Sequence, residues 1–377
     1  MSEAHRPGAT RHKGPSQSDV AERAGVSKQT VSRVANGAPE VDSFTREKVL
    51  LSMTELGYRP NRAARALRSG RYRNIGVVLS TLSSFGNRRT LEAISAEANR
   101  AGYSLTLITV DVSSRDETSN AFSVLADQAL DGIIIVLEQF HYRDNPDVHL
   151  PPGVPVVSLD ASRETSHPVV DSDQRHGALL ATQHLLDLGH DTVWHVSGPS
   201  DSFAALRREA AWREALRERG IEPPATLAGD WSTGSGYRAG VTLRERDDVT
   251  AVFAANDQMA LGVLLAYHEA DIPVPGRVSV VGFDDIEEAE AFWPPLTTVR
   301  QKLMEVGRVS VRTLVAVIEG REAVDARTTV STELIVRRST SSPPPRNGNA
   351  TDHRGGCSRR SGDSRSTAGG RSASDAR

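Results

Sequence analysis

At 377 residues the chain is long enough for two or three packed units, and none of its apolar runs, the best being Gly132 to Leu137, could span a bilayer. Its opening residues, MSEAHRPGATRHKG, lack the apolar centre of a secretion signal, so a soluble, cytoplasmic protein with no membrane attachment is expected, and the single cysteine, Cys357, excludes an internal disulfide or a cysteine-built metal site. The net charge of -3 hides a split: residues 1–73 carry 14 Lys and Arg against 7 Asp and Glu (+7), the body carries -14, and the chain from 339 onward carries +4, which points either to a polyanion partner for the head or to a solvated basic arm.

Residues 1–15 form a basic arm expected to be disordered, and Ser16 to Asn36 reads SQSDVAERAGVSKQTVSRVAN. Ser16 and Asp19 have the spacing of a capping box, predicting a first helix over Asp19 to Ala24 with Val20, Ala21 and Ala24 inward. Gly25 supplies a turn. Ser27 caps a second helix, in which Val31 and Val34 face the first while Lys28, Gln29, Ser32 and Arg33 face out. A third helix, Ser43 to Leu56, closes the bundle with Val49, Leu50, Met53 and Leu56. A second helix that leads with polar side chains suits the major groove of DNA. There Gln29 can bond an adenine edge and Arg33 a guanine edge, each in bidentate fashion. Lys28 can contact a base or a phosphate, whereas Thr30 and Asn36 suit phosphates, which fix register without reading sequence. A solvated surface helix is the alternative, and the turn pattern within three helices of a basic head argues for DNA.

Pro60 ends the preceding helix, Asn61 can cap another and Gly70 can stop it, leaving about eight helical residues, which are marginal alone in water. This stretch alternates Arg62, Arg65 and Arg68 with Ala63, Ala64 and Ala66, and Leu67 is its one bulky aliphatic residue. A single leucine is not the stripe that packs on a core.

From Ile75 the chain alternates β-rich runs with helical stretches, the pattern of parallel α/β layers. Strands are predicted at 75–80, 104–110, 132–137, 154–160, 192–198, 250–256 and 278–284, with helices between them such as Ser202 to Arg219 and Asp257 to Ala270. A ligand crevice in such sheets opens at the carboxyl ends of the strands. That singles out Ser80, Asp160, Asn256 and Asp284, each the polar last residue of an apolar strand. Asp284 and Asp285 could be read as paired carboxylates for acid-base catalysis, but adjacent strand-end residues point to opposite faces, so one of the two should cap or pair structurally. Trp194 and Trp212 are expected in the core. His184 and His190 miss the i, i+4 spacing of a helical metal pair, Gly198-Pro199-Ser200 lacks the glycines and lysine of a phosphate loop, and no nucleophile has a neighbouring base. No catalytic residue, metal or other cofactor is therefore expected. The segment from Ser339 to Arg377 has almost no aliphatic residues and should be disordered.

DVAERAGVSKQTVSRVANG, followed by TREKVLLSMTELGYRPNRAARALRSGR and then IGVV, resembles the head and hinge of the lactose-repressor (LacI/GalR) family of bacterial transcription regulators. The likeness continues through GDWSTGSGY (229–237), AANDQMALG (254–262), VSVVGFDD (278–285) and PPLTTVRQ (294–301). Gln17 departs from it, standing where the family has an aliphatic residue that packs the first helix. The resemblance implies a small all-α helix-turn-helix head joined by a hinge helix to an α/β periplasmic-binding-protein-like body of two subdomains. The DNA-binding domain would cover 16–60, the hinge helix and linker 61–73, and the effector-binding and dimerisation domain 74–338. Within the body, the N-subdomain would be 74–172 and 302–330 and the C-subdomain 173–301 and 331–338. The resemblance also gives Leu67 a partner: two hinge helices pair over the minor groove, Ala64 and its alanine neighbours permit close approach, and Leu67 wedges between base steps.

Between the subdomains the resemblance places a small-molecule effector against Ser80, Asp160, Arg208, Trp231, Asn256, Asp284 and Gln301. Their chemistry suits a sugar, since carboxylates accept hydroxyls, arginine and asparagine donate to oxygens, and an indole covers the CH face of a pyranose. Arg208 and Asp284 also match purine-sensing members, and Ala204, Ser84 and Leu303 differ from the galactoside-sensing branch. The implied function is a homodimeric repressor of sugar-utilisation genes, bound to a near-palindromic double-stranded operator and released by a saccharide. The alternative is a corepressor-dependent regulator, whose purine or phosphorylated sugar tightens DNA binding.

Overall fold

The computed structural model describes residues 14–59, 70–110, 114–137, 150–159, 161, 166–321 and 325–345; the first 13 residues, the hinge positions Ala64 and Leu67, Asp160 and the chain beyond 345 lie outside the described residues. The head is three helices, α1 (Gln17–Ala24), α2 (Lys28–Ala35) and α3 (Ser43–Leu56), around Val20, Val31, Val34, Val49 and Met53. Helix α1 starts at Gln17, earlier than the expected Asp19. Ser16 is its N-cap, its backbone N–H donating 2.7 Å to the Asp19 carboxylate, so the capping box puts Asp19 at the third helical position and not the first. Gln17, the departure from the family pattern, donates its side-chain amide 3.0 Å to the Lys28 carbonyl and ties α1 to α2 by a hydrogen bond in place of apolar packing. Gly25 closes α1 in the left-handed conformation (φ 60°) that admits glycine most readily. Leu50 does not join the core: it is 48% exposed, because the inward line of α3 runs through Val49, Ser52, Met53 and Leu56, and the next residue is turned about 100° away.

The body carries two six-stranded sheets. The first, in the order β11-β5-β4-β3-β1-β2, is parallel throughout and joins β1 (Asn74–Leu79), β2 (Ser104–Thr109), β3 (Gly132–Val136), β4 (Val156–Leu159), β5 (Val169–Ser172) and β11 (Arg327–Val330). Helices α4 (Phe85–Arg100), α5 (Arg115–Ala126) and, returning late in the chain, α10 (Leu303–Ile318) belong with it. The second, in the order β12-β10-β9-β8-β6-β7, joins β6 (Trp194–Ser197), β7 (Leu227–Ala228), β8 (Ala251–Ala254), β9 (Ser279–Asp284), β10 (Thr297–Arg300) and an antiparallel edge, β12 (Glu333–Ile335). Around it lie α6 (Gln174–Asp187), α7 (Phe203–Glu218), α8 (Thr233–Arg244) and α9 (Asp257–His268). The chain passes between the sheets three times, after β5, after β10 and after β11.

Strands β1, β3, β8 and β9 bury nearly every residue, as parallel strands covered on both faces must, and this is why they read as apolar runs. Strands β5, β7, β10, β11 and β12 were not expected; they have two to four residues, and all but β7 carry Thr, Asp, Arg or Glu. The expected disorder from Ser339 is corrected for its first residues. Ser339 is fully buried against β9: its carbonyl accepts from Val280 N–H at 2.8 Å and its hydroxyl donates 2.6 Å to the Val280 carbonyl. Ser341 continues this by accepting from His190, 3.0 Å. Backbone pairing needs no aliphatic side chain, so composition alone placed that boundary too early.

Candidate functional site

On the head, Ser27 caps α2 by accepting from Thr30 N–H at 3.0 Å, and the Thr30 hydroxyl sits 2.9 Å from the Ser27 hydroxyl. Lys28, Gln29 and Arg33 are exposed along one side of α2, while Val31 and Val34 are buried on the other. Asn36 is the exposed C-cap. Three long polar side chains thus project from a helix whose back is fixed, the arrangement that base-edge readout requires.

A cleft of about 600 Å³ opens between the two sheets of the body, at the carboxyl ends of β1, β5, β8 and β9. Ser80, Arg208, Trp231, Asn256, Asp284 and Gln301 all line it; Asp160 lies outside the described residues. Ser84, Ala204 and Leu303 line it as well.

The charged floor is a ring of four side chains. Gln301 donates 2.7 Å to Asp284, Gln174 donates 3.0 Å to Gln301, Arg208 Nε donates 2.8 Å to Gln174, and Arg208 Nη1 closes the ring 3.8 Å from Asp284. Arg208 also donates to the Ala255 carbonyl and lies 3.7 Å from the Phe283 ring centroid and 5.4 Å from that of Trp231. Gln174 and Gln301 stand on two of the three inter-sheet crossings, so the ring ties those crossings to the cleft. Burial pushes the Asp284 carboxyl up to about 6, with Arg208 and the Gln301 hydrogen bond holding it back. Behind it Asp257, fully buried under Thr298 and the Ile286 N–H, is pushed well above the usual carboxylate range by burial and then by Asp284.

Two residues of the site occupy the left-handed backbone region, Trp231 at φ 69° and Asp284 at φ 118°, each a strain of about 1–3 kcal/mol that its surroundings must over-determine. Asn256 does so for Trp231. Its amide nitrogen donates 3.0 Å to the Trp231 carbonyl and 2.9 Å to Gln258, while its oxygen caps α9 by accepting from Met259 N–H. The indole lies against Gly198, where any Cβ would run into the ring. Asp285 turns away from the cleft, as its place beside Asp284 predicts, and pairs with Arg300 at 2.6 Å and Arg337 at 2.7 Å. Trp212 is fully buried with its N–H on the Val193 carbonyl, and His190 bonds Thr250 and Ser279, so both are structural. Sequence reasoning missed Gln174 and Asp171, which also line the cleft. Gln174 had only its position after a strand end as a local signal, and Asp171, inside β5, had none.

Residues 18–61 match the family of bacterial regulatory proteins described as lacI family, and residues 182–340 match a periplasmic binding protein-like domain. The chain is 36% identical over 329 residues to the lactose operon repressor of Escherichia coli (strain K12), covering 86% of this chain and 90% of that protein. It is 36% identical over 348 residues to the HTH-type transcriptional regulator CelR of Thermobifida fusca, covering 87% and 99%. With the transcriptional repressor PurR of Haemophilus influenzae (strain PittEE) it shares 30% over 330 residues, covering 86% and 98%. Among solved structures, a lac repressor dimer bound to operator and the anti-inducer ONPF superposes with a TM-score of 0.78 at 36% identity, over 87% of this chain and 100% of that one. A CelR–cellobiose complex does so with a TM-score of 0.64 at 34% identity, over 86% and 99%.

Proposed function

The chain belongs to the lacI family of bacterial regulatory proteins, and from that premise we propose that its cleft takes a neutral saccharide whose binding releases a homodimer from a near-palindromic operator. The chain is a DNA-binding transcriptional repressor with a small-molecule effector, and not an enzyme. One observation carries the saccharide reading. Among the described residues that line the cleft, the one cation, Arg208, is already matched by Asp284, and the Trp231 indole lies beside the pair. A phosphorylated sugar would bring a negative charge for which the described lining holds no unmatched cation, whereas a neutral polyol offers Asp284 hydroxyl donors and lays a CH face on Trp231. The cellobiose complex of CelR supports the same ligand class. Ser80, Asp160, Arg208, Trp231, Asp284 and Gln301 are the proposed contacts, with Asn256 acting through Trp231.

On DNA, Lys28, Gln29 and Arg33 are the proposed base contacts, Thr30 and Asn36 the phosphate contacts, and Ala64 and Leu67 the minor-groove contacts of paired hinges. The operator complex of the lac repressor dimer supports a two-headed arrangement. So do the exposed Leu261 and Leu265, one turn apart on α9. No helix among the described residues is long and apolar enough to cross a membrane.

The test is a mobility-shift titration on DNA selected by the protein from a random pool. Cellobiose or lactose should release the complex, and affinity should fall steeply as salt rises because several phosphates are neutralised per head. A purine that tightens binding while no saccharide acts would replace this reading by the corepressor one.

Asp284 gives the cleft a pH signature. A sugar hydroxyl needs the ionised carboxylate as acceptor, so saccharide affinity should be level above about pH 7 and fall below about 6, by up to about tenfold per unit. Folding responds with the opposite sign. A carboxyl raised to about 6 binds its proton more readily in the folded chain than in the unfolded one, so its destabilising effect is full above that pH and is relieved as pH falls toward about 4. Titration calorimetry across this range checks the slope, which Asp284→Asn should abolish.

A further inference from the structure

Beside the ring of the cleft floor, a second charged cluster crosses from one sheet to the other. Asp171, on β5 of the first sheet, has only 4% of its side chain exposed, and one of its carboxylate oxygens accepts from two guanidiniums. Arg207 reaches it from α7 of the second sheet, through Nη1 to Asp171 and through Nη2 to the Ala161 carbonyl, 2.6 Å. Arg327, at the start of β11 on Asp171's own sheet, makes the same fork with longer bonds, 3.4 Å to Asp171 and 3.1 Å to the Ala161 carbonyl. Two arginines therefore grip one pair of acceptors, one from within the subdomain and one from across the cleft.

Consecutive residues on a helix point about 100° apart, and α7 uses this to divide two tasks. Arg208 turns into the cleft, whereas Arg207 does not line it and turns to the opposing subdomain. The crossing bond exists only while the two sheets are close. We propose that Arg207 is a positioning residue for effector binding, a clasp that holds the cleft shut through Asp171 and Ala161 without touching the effector. This rests on the cleft being the effector site. The apparent affinity of a protein for its ligand scales with the fraction already in the binding-competent form, so a clasp that favours closure strengthens every effector equally. A contact residue, by contrast, would discriminate among them. The two arginines also predict an asymmetry on mutation. Removing Arg207 leaves Asp171 still held by Arg327 within its own subdomain, so no buried carboxylate is stranded and the fold survives; removing Asp171 would strand two guanidiniums.

The test uses the full chain, with small-angle scattering of the free protein and calorimetry with cellobiose and lactose as probes. Arg207→Met should increase the radius of gyration of the free protein. It should weaken each saccharide that binds by the same factor, about tenfold, leaving the ratio between them unchanged. Arg207→Lys should restore part of both effects, since an ammonium can pair with Asp171 but cannot also fork to the Ala161 carbonyl. Arg327→Met should leave the radius of the free protein as it was. Unchanged scattering in Arg207→Met overturns the clasp, as does selective loss of one saccharide, which would make Arg207 a ligand contact. If neither saccharide binds the unaltered protein, the saccharide reading of the cleft fails, and the scattering comparison still decides the clasp.

Discussion

Arg208→Ala should abolish the response to effector and leave operator binding intact. The guanidinium is the only cation among the described residues lining the cleft, and it is buried, bonded to Gln174 and Ala255, and stacked within 3.7 Å of the Phe283 ring centroid. A hydrogen bond from a charged donor to a sugar oxygen is worth about 1.5–3 kcal/mol, and its loss opens the ring that orients Asp284 and Gln301 as well. Affinity for cellobiose or lactose should therefore fall by more than about a hundredfold, roughly 2.7 kcal/mol. The protein should still fold. Asp284, left without its cation, escapes by taking up a proton, since its carboxyl already titrates at about 6. Each further unit of upward shift costs about 1.4 kcal/mol only above that value, so the stability lost near neutral pH is small beside that of stranding a fixed charge. Arg208→Lys should not rescue binding, because a lysine cannot span Gln174 and Ala255 while facing the cleft. Calorimetry and mobility shift together decide the matter: a variant that still leaves the operator at ordinary saccharide concentrations would remove Arg208 from the site.

What could be read from sequence follows from how local the determining contacts are. The head was legible almost to the residue because caps work over three positions, Ser16 with Asp19 and Ser27 with Thr30. The cleft was half legible. Ser80, Asn256 and Asp284 follow from the rule that polar residues ending parallel strands meet at one crevice, and all three do line it. Arg208, Trp231 and Gln301 lie on a helix, a loop and a crossing, where no strand-end rule applies, and only the family resemblance brought them in. The Asp171 cluster was invisible. Its partners lie 36 and 156 residues away in sequence, and nothing in VVDS distinguishes a clasped aspartate from a strand-end one. His195 makes the opposite point: a histidine in an apolar run can be pure core. It is fully buried between Trp212 and Phe253, its ring pushed down to about 3 by burial, and so stays neutral.

Asn256 shows how a functional-looking position can act one step removed. The strand-end rule selects it as a ligand donor, yet both ends of its amide are engaged within the protein. Its bond to the Trp231 carbonyl holds a tryptophan in a backbone conformation that a non-glycine residue seldom adopts, and that conformation sets the indole against Gly198. The same position is thus a helix cap and the support of the sugar platform.

Gln29→Ala and Arg33→Ala should each cost operator affinity twice over, because a symmetric dimer presents α2 to two half-sites. A good bidentate contact to a base contributes about 1–3 kcal/mol, so one substitution in both heads should cost about 2–6 kcal/mol, from about thirtyfold to more than about ten-thousandfold. The two variants should differ in salt dependence. Glutamine is neutral, so Gln29→Ala should lower operator affinity and leave both nonspecific binding and the salt slope nearly as they were. Arg33→Ala removes a cation from each head, and if that charge also counts in phosphate neutralisation the slope should become shallower by up to about 1.8 for the dimer. Asn36→Ala should instead weaken operator and random DNA alike, the signature of a contact that positions without reading. Mixed dimers with one altered head make the comparison internal. They should lose half the free energy that the doubly altered dimer loses, measured on the same DNA at fixed salt. A Gln29→Ala homodimer that loses no more than the mixed dimer would show that only one head reads the operator, and the two-fold geometry would have to be abandoned even though each head still folds around Val31 and Val34.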